Sequence, residues 1–103
     1  MDAEVVFKAL ANPVRLSIME WLKKPDFHFP PMSHLPEEEK GLGYVCVGAI
    51  QAKGQITQST ASSFLSMMKK SGLLTSKRIG QWTYYRRNET FIQEVARYIG
   101  SDL

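Results

Sequence analysis

The stretch "QSTASSFLSMMKKSGLL", Gln58 to Leu74, sets apolar side chains at helical spacing beside a run of small hydroxyls. Ala61, Phe64, Leu65 and Met68 stand at i, i+3, i+4 and i+7, which predicts one buried stripe. Ser59, Thr60, Ser62, Ser63 and Ser66 are mediocre helix formers, so propensity does not explain them. Short hydroxyl side chains allow close approach to a phosphodiester backbone and hydrogen-bond both phosphates and base edges. Gln58 is long enough to pair bidentately with adenine. Lys69 and Lys70 follow on the same stretch. Beyond them, "LLTSKRIGQWTYYRRN" carries Lys77, Arg78 and Gln81 around a turn, with Arg86 and Arg87 on the returning run. Cations there suit phosphates or a minor groove. The chemistry these residue types support is double-stranded DNA recognition. The bland alternative is a solvated helix face beside a basic surface hairpin.

Such residues need a frame, and the chain is long enough for one small domain spanning 1–103. Hydrophobic residues make up 44% and charged residues 22%, ordinary for a folded domain. A net charge of +3 permits a polyanionic partner without demanding one. Cys46 is the one cysteine, which excludes an intramolecular disulfide. No run approaches the roughly 18 apolar residues of a membrane span, and "MDAEVVFKAL" has no signal-peptide pattern. A soluble, cytoplasmic chain is expected.

The elements follow from caps and breakers. Asp2 caps a short first helix. "ANP" ends it and starts the next, with Asn12 as N-cap and Pro13 at the first helical position. The helix from Pro13 to about Lys24 is apolar nearly all round, which predicts a buried central element. Residues 25–43, holding Pro25, Pro30, Pro31 and Pro36, read as a long loop, with Phe27 and Phe29 packed down. A short helix is expected from about Tyr44 to Ala52, then a turn marked by Gly54, then the helix already described. Gly72 closes that helix. Gly80-Gln81 suits a two-residue hairpin turn with glycine first. Asn88 caps a last helix to about Gly100, with Phe91, Ile92, Val95, Ala96 and Ile99 as its apolar stripe. The predicted class is mainly α with a small β-hairpin, ordered α-α-α-α-β-β-α. That is a winged helix-turn-helix.

"FKALANPVRLSIMEWL" resembles the opening signature of the ArsR/SmtB repressors, and "QSTASSFLSMMKKSGLLTSKRIGQWTYYRRN" resembles their recognition helix and wing. With the last helix, the resemblance covers most of the chain. It implies a homodimer, paired through the first and last helices, that binds a roughly palindromic operator and represses transcription. On that resemblance Gln58, Ser59, Thr60, Ser62 and Ser63 fall at the DNA-contacting positions. Phe64 stands where many members carry histidine, and the insertion at 25–43 is a second departure.

Metal-sensing members carry paired cysteines before the turn, or His and acidic ligands on the last helix. "VCVGAIQ" has Cys46 alone, and "ETFIQEVARYIGSDL" has no histidine. No metal or other cofactor is expected, although Cys46, His28 and His34 leave a site across a dimer open. Cys46, near a helix N-terminus, is a candidate sensing thiol or simply a small apolar residue. Arg15 is placed to approach phosphate or to pair with an acid such as Glu4. Trp21 reads as core, and Trp82, Tyr84 and Tyr85 as hairpin packing. No phosphate-binding glycine loop or nucleophile–base pair points to an enzyme. The competing binding class is a protein-interaction module of winged-helix shape without DNA readout.

Overall fold

A computed structural model describes all residues, 1–103. Helix α1, Ala3–Leu10, starts where the Asp2 carboxylate accepts from the Val5 N–H at 3.3 Å. Helix α2, Pro13–Lys23, starts where Asn12 Oδ1 accepts from the N–H groups of Val14 and Arg15 at 2.9 and 3.1 Å. These side chains satisfy donors that a helix start leaves open.

Pro25 ends α2 as expected, but it also opens a helical turn, α3, Pro25–His28. Proline's fixed φ suits a first helical position as well as it disrupts a helix interior. The 25–43 segment is thus not all loop: a 3₁₀ turn, Glu37–Glu39, follows. Phe29 and Leu35 are buried and pin the segment down, whereas Phe27 is 82% exposed, contrary to expectation. Nor is α2 buried all round, since Leu16 stays 47% exposed.

The expected helix from Tyr44 begins later. Val45–Cys46 form a short strand, β1, and helix α4 runs Val47–Gly54. β-Branched and aromatic residues favour a pleated edge, and a ready edge is available. β1 pairs antiparallel with β3, Trp82–Arg87, in the register Val45↔Tyr85 and Cys46↔Tyr84. β3 pairs on its other side with β2, Leu74–Ile79, giving the order β1-β3-β2. Ile79 faces Trp82 across the Gly80-Gln81 turn, and Gly80 has φ +61.

Helix α5, Gln58–Ser71, is capped by Thr57, whose Oγ1 accepts from the Thr60 N–H at 3.1 Å. It ends at Gly72, φ +97. Helix α6, Glu89–Ser101, starts at Asn88, whose Oδ1 accepts from the Phe91 N–H at 3.2 Å. One core joins these elements through Val6, Ile18, Leu22, Ile50, Leu65, Met68, Leu74 and Val95. No helix is long and apolar enough to cross a membrane.

Candidate nucleic-acid interface

Helices α4 and α5 pack against each other and are joined by a short turn at Gln55–Thr57. Gln55 adopts left-handed φ 52, and its N–H closes on Ala52 and Gln51 carbonyls. Turn and cap together set the angle at which α5 leaves the core.

At about 100° per residue, α5 divides cleanly. Ala61, Leu65, Met68 and Ser71 are buried, and Phe64 is half-buried beside them. Gln58, Ser59, Ser62, Ser63, Ser66, Lys69 and Lys70 are all exposed and share the opposite face. The Ser71 hydroxyl, on the buried side, donates to the Met68 carbonyl at 2.7 Å, so it is spent internally. Of the predicted contact residues, Gln58, Ser59, Ser62 and Ser63 thus lie together and open. Thr60 is different: it is half-buried, and its Oγ1 accepts from the Thr57 hydroxyl at 2.9 Å. Its hydroxyl serves the helix start.

The wing carries Lys77 and Arg78 exposed on β2, and Gln81 exposed at the turn. Arg78 forms no ion pair, whereas Lys77 pairs with Glu39 of the 25–43 segment. That hydrogen bond holds the Lys77 ammonium above its ordinary value of 10.5. Arg86 and Arg87 serve other ends. Arg86 donates to the Leu42 carbonyl at 3.1 Å and stacks on Tyr44. Arg87 donates to the Met19 carbonyl at 3.3 Å and pairs with Glu89.

Arg15 takes neither of its expected roles. It is buried, donating from Nε to the Ala9 carbonyl at 2.7 Å and from Nη2 to the Lys8 carbonyl at 3.1 Å. Glu4 pairs with Lys8 instead. Cys46 is half-buried and precedes α4 without a side-chain capping bond. His34 stacks on Trp82, and His28 lies edge-on to Phe27.

One signal was missed by reading motifs alone. Between Glu39 and Glu89 the chain contains no Asp or Glu, yet it holds Lys40, Lys53, Lys69, Lys70, Lys77, Arg78, Arg86 and Arg87. This acid-free segment takes in the end of the 25–43 stretch, β1, α4, α5 and the wing. The modest net charge of +3 conceals it, because all the acids lie in the flanking segments.

No model of a known protein family matches the chain. The HTH-type transcriptional regulator YbzH of Bacillus subtilis is 42% identical over 103 residues, covering 100% of both chains. A homodimeric winged helix-turn-helix DNA-binding domain of Mycobacterium bovis, from a possible ArsR-family transcriptional regulator, superposes with TM-score 0.64. It is 30% identical over 90% of this chain and 70% of that one. The transcriptional repressor BigR of Xylella fastidiosa superposes with TM-score 0.61 at 25% identity, over 95% of this chain and 84% of that one. The protein belongs to the ArsR family of winged helix-turn-helix transcriptional regulators.

Proposed function

We propose that the protein is a homodimeric transcriptional repressor that reads an operator with the first two turns of α5. Gln58, Ser59, Ser62 and Ser63 face the major groove, and Arg78, Lys77 and Gln81 hold the flanking backbone. The observation that carries this reading is the acid-free, basic segment that takes in α4, α5 and the wing. A polyanion repels carboxylates as strongly as it attracts cations, so a segment that carries cations and no acids favours phosphate binding.

The dimer face proposed is that of α1 and α6. Phe7 and Tyr98 approach to 6.4 Å between ring centroids and join these helices. Val5 and Ile99 stay 40% and 49% exposed, an apolar surface that a second copy would cover.

Fluorescence anisotropy on duplexes from the gene's upstream region tests the reading. Specific binding that weakens steeply with salt, by a protein that sediments as a dimer, supports it. Equal affinity for scrambled duplex, or no binding at low salt, contradicts it and favours a protein-interaction module.

A further inference from the structure

The 25–43 segment is the part of the chain that DNA reading leaves unused. It follows the end of α2 and forms one wall of an open cleft of about 750 Å³, with β1, β3 and the first turn of α6. Small-molecule sites commonly span roughly 300–1,000 Å³. Leu22, Phe29, Leu35 and Val45 line the cleft and are buried, so its floor is apolar.

Arg86 also lines it. Its guanidinium carbon lies 4.5 Å from the Tyr44 ring centroid, and Nη1 donates to the Leu42 carbonyl. No carboxylate pairs with Arg86, and its other N–H donors are uncommitted. Of the cleft's two acids, Glu89 is held by Arg87, with Nε 2.8 Å from Oε2, and Asp26 is exposed to solvent. A half-buried guanidinium without a counter-ion, beside an apolar floor, has the form of a receptor for an anion with a hydrocarbon body.

We propose that this cleft binds a small amphipathic carboxylate and is the effector site of the repressor. The Arg86 fork takes the carboxylate, and the floor takes the aliphatic or aromatic body. The segment that walls the cleft also reaches the wing. Glu39 pairs with Lys77, and the His34 ring stacks on Trp82 at 4.5 Å. An occupant that shifts the segment therefore changes how the wing's cations are presented. The effector role rests on the DNA-binding reading above, whereas binding to the cleft does not.

The test titrates the ¹⁵N-labelled full chain, without DNA, with octanoate and 3-phenylpropionate, and with 3-phenylpropanol as the neutral counterpart. The expected result is amide shifts concentrated at Met32, Val45 and Arg86. The acid should bind about tenfold tighter than the alcohol, a difference that Arg86→Gln removes. Lys23→Gln, at an exposed position lining the same cleft, should weaken the acid about twofold and guards against a misfolded Arg86 variant. Absence of localised shifts at about 10 mM acid overturns the proposal, as does equal binding of acid and alcohol. A second arm adds octanoate to the protein–DNA complex. Unchanged DNA affinity at saturating acid overturns the effector role, whereas failure of the unloaded protein to bind DNA counts against the repressor reading instead.

Discussion

The Arg15 guanidinium carbon lies 4.8 Å from the centroid of the Phe64 ring. Arg15 stands on α2, donates to carbonyls at the end of α1, and roofs a side chain on α5. It thereby ties α1, α2 and α5 together. Phe64, the departure from the family pattern, is the surface on which this cation rests. Arg15→Ala leaves the Ala9 carbonyl without its donor, while the Lys8 carbonyl keeps the Ala11 N–H, and it removes the cation–π contact. The expected loss is about 2–4 kcal/mol, read as a lowered urea midpoint. Arg15→Lys should recover only part of it, because an ammonium cannot reproduce the planar fork.

Gly72 ends α5 at φ +97, and a Cβ there would sit 2.9 Å from Phe91 ring atoms. Gly80 has φ +61 with nothing within 4 Å of an added Cβ. Alanine at position 80 should cost about 1 kcal/mol, the left-handed penalty alone. Alanine at position 72 should cost about 2 kcal/mol or more, because Phe91 must also move. Paired denaturation curves check the order. Equal losses would mean that Gly72 is set by its backbone only.

Much of this frame was legible beforehand because caps and breakers act locally. Asn12-Pro13, Gly80-Gln81 and Asn88 each satisfy or bend the backbone within a few residues. Tyr44–Cys46 was misread because its strand exists only by pairing with Tyr84 and Tyr85, far along the chain. Arg15 was misread for a similar reason. A charged residue on an early helical turn looks solvent-facing until the α1 carbonyls and Phe64 come round to meet it. The α5 face was legible from spacing. The commitment of Thr60 to the Thr57 cap was not, because either hydroxyl could have faced outward.

Burial pushes the phenols of Tyr84 and Tyr85 above their ordinary value of 10.0, and for Tyr84 the Cys46 charge adds to the shift. A raised folded-state value means that the folded chain holds these protons after the unfolded chain has released them. Stability is thus full below the unfolded value and falls as pH rises through and above it. Phenolate absorbance should show late-ionising tyrosines, with unfolding advancing on the alkaline side. Tyr84→Phe should remove part of that alkaline loss. A titration in which Tyr84 and Tyr85 both ionise at the ordinary value contradicts their burial.

The wing offers an electrostatic comparison. Arg78 has no acidic partner, while Lys77 is paired with Glu39. Arg78→Ala should weaken DNA uniformly across sequences and reduce the salt slope by about 1. Glu39→Gln should strengthen binding, by about 1 kcal/mol at most, because it frees Lys77. Anisotropy titrations over a salt series read both effects. A Glu39→Gln variant that binds more weakly would place Lys77 away from the backbone.

The central claim is that the open face of α5 reads base sequence. The most direct measurement is operator affinity of the Ser62→Ala, Ser63→Ala double variant, set against its thermal midpoint. Both side chains are exposed and make no hydrogen bond within the chain, so the fold should be unaffected. The account predicts a loss of specific affinity of about tenfold or more, with the melting point retained and scrambled-duplex binding little changed. Full operator affinity in the folded double variant would contradict it.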